Sequence, residues 1–319
     1  MSVDYLRFSL TDRCNLNCFY CAPLDRRQFL SRREVLTYEE IIRTVSLFVK
    51  LGIKKLRLTG GEPLIKKDIV WLIGMLKAIK GLDEIAVTTN GIYLEELAYP
   101  LKNAGLDRLN ISIDTLKTER YKAITGFDQL KSVRSGIEKA IEAGFDPVKL
   151  NVILMKGVND DEVEDFIRLT FNHPLIVRFI EFFPTNKRSL KLAGSLIKND
   201  VVKERINGYF GKMERVYGVR GNGPAEYYKL KGSKGSVGFI SSASENFCAG
   251  CNRIRIDCAG RICPCLFSGH THDIKPLLRD SSRDDESITE YIKEAFEVKS
   301  KYRKNSNACH QVEMSSIGG

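Results

Sequence analysis

No apolar run in this chain approaches the roughly 20 residues that a membrane-crossing helix needs. No apolar signal region precedes the first strand-like segment either, so a soluble cytoplasmic protein with no membrane partner is expected. Internal repeats and low-complexity tracts are missing, which argues against solenoid and linker-like chains. An even cysteine count is missing too, and nine cysteines in a cytoplasmic chain argue against a disulfide framework. The formal charge is +10, yet the lysines and arginines are spread along the chain rather than gathered in one tract. Basic and aromatic residues do not interleave as in a single-strand nucleic-acid binder. The charge suits an anionic nucleotide or an acidic partner, or a merely solvated basic surface.

What is present is a chain of 319 residues with 43% hydrophobic content, enough for one large domain and a smaller one. Strands are expected at Tyr5–Thr11, Lys55–Thr59, Glu84–Thr88, Arg108–Ser112, Val148–Leu154 and Val177–Phe182. Helical stretches separate them, among them Thr37–Leu51, about Asp68 to Lys80, Leu130–Ala143 and Asp161–Asn172. Thr37 with Glu40 reads as a capping box, and Leu51-Gly52, Ala104-Gly105 and Ala143-Gly144 read as helix stops. Six successive βα units imply a parallel sheet curled into an open or partial barrel, with functional groups at the C-terminal ends of its strands. After about Pro184 the pattern changes to a helix at Val201–Phe210 and short antiparallel strands at Glu226–Leu230 and Val237–Ser241. The expected fold is α/β, a partial (β/α)6 TIM-like barrel over residues 1–185 and a smaller C-terminal α+β region over 186–319. From Ser300 the chain is polar.

Eight cysteines fall in two groups, Cys14, Cys18 and Cys21, and five between Cys248 and Cys265. Clustered thiols in a reducing compartment usually hold metal. Three thiolates in a CxxxCxxC spacing after a first strand can hold three irons of a [4Fe-4S] cubane and leave the fourth open to substrate. The rival is a zinc site completed from afar. With Tyr20 before the last cysteine, this segment resembles the radical SAM superfamily. That resemblance implies that the open iron chelates S-adenosylmethionine (SAM) and that one electron then releases a 5'-deoxyadenosyl radical. It further implies that Gly61 of Gly60-Gly61-Glu62-Pro63, together with Tyr20, Ser112, Phe183 and Arg178, lies near SAM. Phe183 stands where the family has Met.

Cys248-Ala-Gly-Cys251 is a CxxC followed by Cys258, Cys263 and Cys265. Spacing alone leaves a second open cubane and a four-cysteine zinc ribbon equally open. From about Tyr5 to Gly319, however, the chain resembles the GTP 3',8-cyclase family (MoaA) of molybdenum cofactor biosynthesis. That family holds a second [4Fe-4S] cluster with a CxxC and a cysteine fourteen positions later, here Cys248, Cys251 and Cys265, followed by Leu266-Phe267. Cys258 and Cys263 have no counterpart in the pattern, so each competes with Cys265 as third ligand. Cys309 reads as a packed or free thiol, and His270-Thr-His272 as a surface loop. His173 and His310 match nothing in the family's site.

The resemblance assigns GTP contacts to Arg7, Arg57, Thr88, Lys149, Arg253 and Arg255. Arg253 and Arg255 point the same way if that piece is extended, and two guanidiniums suit a triphosphate. Gly318 and Gly319 match a family tail that reaches the active site, and with Arg178 they complete the expected catalytic set. The implied reaction is hydrogen abstraction from the ribose 3' carbon of GTP, attack on guanine carbon 8, and completion by an electron and a proton. Implied partners are GTP, a reductant such as ferredoxin or flavodoxin, and the next enzyme of molybdopterin synthesis; no nucleic acid is expected, and a homodimer is left open. The alternatives are a radical SAM enzyme with an auxiliary cluster acting on a peptide, and a non-enzymatic zinc-ribbon nucleic-acid-binding protein.

Overall fold

The computed structural model describes residues 3–21, 29–184, 187–219, 223–241, 251–265 and 271–302. The first half runs β1 (Tyr5–Ser9), α1 (Tyr38–Lys50), β2 (Lys55–Thr59), α2 (Ile69–Lys77), β3 (Glu84–Thr89) and α3 (Leu94–Asn103). It continues with β4 (Arg108–Ser112), α4 (Thr118–Thr125), α5 (Leu130–Glu142), β5 (Val148–Leu154), α6 (Val163–Asn172) and β6 (Leu175–Glu181). The second half adds α7 (Lys187–Leu190), α8 (Asn199–Phe210), β7 (Glu214–Val216), β8 (Glu226–Lys229), β9 (Ser236–Ile240) and β10 (Arg253–Ile256). It ends with β11 (Arg261–Cys263), β12 (His272–Asp273), α9 (Lys275–Arg279) and α10 (Asp285–Tyr302). Among the described residues no helix is long and apolar enough to cross a membrane.

The expected strands and helices of the first half form within a few residues of their expected bounds. The Thr37 capping box is present, with Glu40 N donating to Thr37 Oγ1 and Thr37 N to Glu40 Oε2. β1 stops at Ser9 rather than Thr11, because the chain turns there to meet the loop after β2. The helix expected at Asp68–Lys80 is shorter at both ends, and β6 starts two residues early. α4, α7, α9, α10, β7, β11 and β12 are additions. His272 is half-buried in edge strand β12 and edge-on to the Tyr291 ring, so the expected surface loop is a short strand at this residue. His270, Cys248, Leu266, Phe267, Cys309, His310, Gly318 and Gly319 lie outside the described residues.

The six-stranded unit does not end at its own edges. Among the described residues, all strands join one 12-stranded sheet in the order β12-β11-β10-β1-β2-β3-β4-β5-β6-β9-β8-β7. From β10 through β1 to β6 and on to β9 every pairing is parallel. The second half thus supplies a parallel strand to each flank of the first, and its antiparallel strands lie outside those.

Side chains alternate along these strands. Leu6, Phe8, Leu56, Leu58, Ile85, Val87, Leu109, Ile111, Leu150, Val152, Val177 and Phe179 enter the core shared with the helices. The other face carries Tyr5, Arg7, Arg57, Thr88, Arg108, Asn110, Lys149, Asn151 and Arg178. In a flat sheet Arg57 on β2 and Arg178 on β6 would stand about 19 Å apart, four strand spacings of about 4.8 Å. They are close enough to repel, so the sheet curls and the second face is the lining of a lumen.

One buried carboxyl ties the strand ends together. Glu62 Oε1 accepts from Leu64 N at 2.9 Å and Thr89 Oγ1 at 2.7 Å, and Oε2 from Asn90 N at 2.7 Å. Burial pushes its carboxyl from an ordinary 4.5 up to about 7, against those hydrogen bonds. Folding therefore takes up a proton between these two values. The contribution of Glu62 to stability is full below that window and falls as pH rises through it. Relative to Glu62→Gln, which lacks this group, the wild type should lose on the order of 3 kcal/mol across the window. Chemical denaturation at about pH 5 and about pH 8 measures it.

Candidate active site

The loop after β1 carries Cys14, Cys18 and Cys21, all half-buried. It is held from three sides. Gly61 N donates to Thr11 O at 2.7 Å and Glu62 N to Arg13 O at 2.8 Å. Asn90 Nδ2 donates to Asn15 Oδ1 at 2.7 Å, and Asn17 N and Phe19 N donate to the carbonyls of Thr125 and Ile124 at the end of α4. A Cβ at Gly61 would stand 2.1 Å from Arg13 O and 3.0 Å from Cys14 N. The close approach that glycine permits here is to the cysteine loop itself.

Burial, then Cys21, Asp114 and Cys14, push the Cys18 thiol well above its ordinary value. A thiol crowded in this way resists ionisation until a metal withdraws its proton. Tyr20 is fixed beside them, its hydroxyl donating to Asp114 Oδ2 at 2.5 Å and its ring edge-on to Phe182 at 6.4 Å. Asp114 also accepts from Ile153 N, and burial raises its carboxyl to about 6. Gly61, Ser112 and Phe183 lie at or just past the C-terminal ends of β2, β4 and β6, the same rim as the cysteine loop. Phe183 is half-buried there.

The second cysteine group separates. Arg255 on β10 feels Cys251, Cys263 and Cys265, and Cys263 faces it across the antiparallel β10–β11 pair. Cys258 sits elsewhere: its carbonyl accepts from Leu36 N, and burial, Asp257 and Asp12 push its thiol up to about 12. Cys251 receives a hydrogen bond from Lys299 Nζ of α10 at 3.2 Å. Burial opposes its ionisation, but Arg253 and Lys299 outweigh that and bring the thiol down to about 6. Among the described residues no three Cys, His, Asp or Glu side chains gather as they would around a single metal ion. The donor set fits iron–sulfur clusters, for which soft, spaced thiolates are the usual ligands.

The lumen is the third part. Register aligns Arg255, Arg7 and Arg57 across β10, β1 and β2. Arg7, Arg108, Lys149, Arg178 and Arg255 are buried, Lys149 at 2% exposure. Within the strands of the lumen, Glu84 is the carboxylate that faces them, 3.0 Å from Arg108. Burial, then Arg178, Arg108 and Arg57, bring Lys149 down to about 6. Burial is also the main cause that brings Arg178 and Arg255 to about 10. Arg57 Nε, Arg178 Nε, Thr88 Oγ1 and Asn151 Oδ1 are buried and lack a hydrogen-bond partner among the described residues. A group that is anionic and rich in acceptors fits this lining.

Comparison with known proteins agrees. The Radical SAM superfamily matches residues 8–170, and Molybdenum Cofactor Synthesis C matches residues 175–305. A GTP 3',8-cyclase from Heliobacterium modesticaldum is 43% identical over 93% of this chain and 90% of its own length. One from Pelotomaculum thermopropionicum is 42% identical over 99% of this chain and 98% of its own. The chain belongs to the GTP 3',8-cyclase family. It is accordingly a radical SAM lyase of molybdenum cofactor biosynthesis, with SAM and [4Fe-4S] clusters as cofactors. The crystal structure of SuiB from Streptococcus suis bound to SAM shares the fold at a TM-score of 0.66, covering 89% of this chain and 66% of that one. At 15% identity that likeness extends to the fold alone.

As a GTP 3',8-cyclase family member the chain holds functional candidates that motif reading passed over. Asp114, Arg108, Asn110 and Lys299 carry no motif. Lys299 does leave a trace, since it falls on the stripe Ile288, Ile292, Ala295 of α10, where a charge is out of place. Gly61→Ala should cost the first cluster, lowering bound iron by about half. Cys258→Ser should keep the wild-type iron content, whereas Cys251→Ser should not; iron and sulfide analysis of anaerobically reconstituted protein decides both.

Proposed function

We propose that the lumen is the GTP site, and that the chain converts GTP to (8S)-3',8-cyclo-7,8-dihydroguanosine 5'-triphosphate there. The observation that carries this reading is the group of buried cations gathered on the lumen face of the strands. A triphosphate brings negative charge and the acceptors that Arg57 Nε, Arg178 Nε and Thr88 Oγ1 call for. Arg7, Arg57, Arg253 and Arg255, on the adjacent strands β1, β2 and β10, would clamp the phosphates, with Thr88 and Lys149 on the strands beyond. A neutral peptide, the substrate class of the rival reading, would leave those charges uncompensated.

Cys14, Cys18 and Cys21 would hold one cluster, and Cys248, Cys251 and Cys265 the other. When bound and reduced, the first cluster supplies the electron that splits SAM into methionine and a 5'-deoxyadenosyl radical. The chain's own share is placement. Tyr20, Gly61, Ser112 and Phe183 line the rim where SAM would lie, and Arg178 stands on β6 below that rim. The walls exclude water from the reacting carbon. Residues 1–185 would then form the SAM half, and residues 186–319 the second-cluster half, whose Gly318-Gly319 tail enters the site. A soluble carrier such as ferredoxin or flavodoxin would supply the electron, and the next molybdopterin enzyme would take the product in the cytoplasm.

Anaerobically reconstituted protein with SAM, GTP and a strong reductant should yield 5'-deoxyadenosine and the cyclised nucleotide. If 5'-deoxyadenosine forms and GTP returns unchanged, the substrate reading is wrong. Arg57→Met should weaken GTP binding by roughly 10- to 100-fold, about 1.5–3 kcal/mol for a charge-assisted contact. The same change should raise the melting temperature of the nucleotide-free protein, because it removes one of several repelling cations. Deleting Gly318 and Gly319 should abolish the cyclised product, as read by chromatography of the nucleotide pool.

A further inference from the structure

The second half of the chain closes the lumen from both flanks. On the β1 side it brings β10 with its arginines. On the β6 side it brings β9 and β8, where the register sets Asn151, Arg178, Gly238 and Tyr227 in one line across four strands. Gly238 carries no side chain, and a Cβ there would stand 2.9 Å from Arg178 Cγ and 3.0 Å from Tyr227 Cε1. The Tyr227 ring thus lies across the glycine and against the stem of Arg178, and it is 7% exposed. Its hydroxyl accepts a hydrogen bond from Lys149 Nζ at 3.2 Å, and the Arg178 guanidinium lies near enough to feel it. The Lys149 ammonium also lies 5.0 Å from the ring centroid.

One phenol therefore binds Lys149 and packs against Arg178, two groups that sit on neighbouring strands and repel each other. A phenol oxygen has acceptor capacity for both, and the ring face adds a cation–π attraction for the lysine. Lys149 needs such a hold more than Arg178 does. An ammonium on a flexible four-carbon stem has many rotamers, and burial next to arginines favours those that carry it away from the lumen. Asn110 Oδ1 already fixes one Arg178 nitrogen at 2.7 Å. The hydroxyl of Tyr227 is the partner that keeps both groups directed inward before a nucleotide arrives.

We infer that Tyr227 is a positioning residue of the nucleotide site. Seated over Gly238, its hydroxyl sets the direction in which Lys149 and Arg178 present their charges to GTP. The inference rests on the lumen being the GTP site, and it makes substrate affinity depend on a strand outside the radical SAM half.

The test uses the anaerobically reconstituted full chain with Tyr227→Phe, Tyr227→Leu and Gly238→Ala. The readouts are equilibrium binding of GTP and of SAM, steady-state kinetics, and thermal melting. Tyr227→Phe keeps the ring and removes the hydroxyl. It should raise the Kd and KM for GTP about tenfold while kcat at saturating GTP, SAM affinity and melting temperature stay near wild type. Gly238→Ala keeps the hydroxyl but displaces the ring, and should weaken GTP binding to a similar extent. Combined with Tyr227→Phe it should add little, since both act through one contact. GTP binding by Tyr227→Phe equal to wild type would overturn the inference. So would a fall in melting temperature and SAM affinity matching the loss of GTP binding, the pattern of a purely structural ring, which Tyr227→Leu should show. Wild-type protein that splits SAM but binds no GTP would overturn the nucleotide reading, and the inference with it.

Discussion

Positive charge gathered on one buried face of the sheet is the constraint from which the rest of this structure follows. A parallel barrel ordinarily fills its interior with branched apolar side chains. Here that interior holds Arg7, Arg57, Arg108, Lys149, Arg178 and Arg255, with Glu84 as their carboxylate within the strands. Such a lining opposes folding, so stability must come from the other face of the sheet. The layer of Leu, Ile, Val and Phe beneath the helices, Leu6 to Phe239, supplies it. The sheet is divided accordingly: its outer face holds the fold together, and its inner face is kept ready for an anion.

The same division explains how the cysteine loop is built. A loop of three thiols has no packing of its own to hold it. It is braced by Gly61 and Glu62 from the β2 end, Asn90 from the β3 end and the α4 terminus, and Tyr20 is braced by Asp114. The glycine pair that reads as a ligand-binding turn is first a backbone-to-backbone contact with Arg13 and Cys14. Chemistry at the rim then inherits its geometry from hydrogen bonds one layer back.

The two halves are one sheet. β9 and β10 come from the chain after residue 185, yet they pair in parallel with β6 and β1. The second half therefore contributes lining as well as thiols: Arg253 and Arg255 on one flank, Tyr227 on the other. α10 returns to pack on α1 through Phe296 and Phe48, and its Lys299 reaches Cys251. The end of the described chain is thereby fixed close to the second cysteine group.

Local pattern was sufficient for a good part of this. The strands Lys55–Thr59, Arg108–Ser112 and Val148–Leu154, the Thr37 cap and the glycine stops are set by neighbours a few residues apart, so they are legible in order along the chain. Cysteine spacing likewise indicates metal chemistry, because thiols gathered on one short loop can share a cluster. Other features depend on residues far apart in sequence. Spacing left Cys258, Cys263 and Cys265 equivalent; only the β10–β11 pairing turned Cys263 toward Arg255 and Cys258 toward Leu36. No motif marks Asp114, Lys299 or Tyr227, since each acts through a partner 39 or more positions away. The sequence by itself determined which segments are strands and which loops carry thiols, because backbone preference and ligand spacing are short-range. The curl of the sheet alone decided which charges face one another, because electrostatic repulsion depends on distance through space and not along the chain.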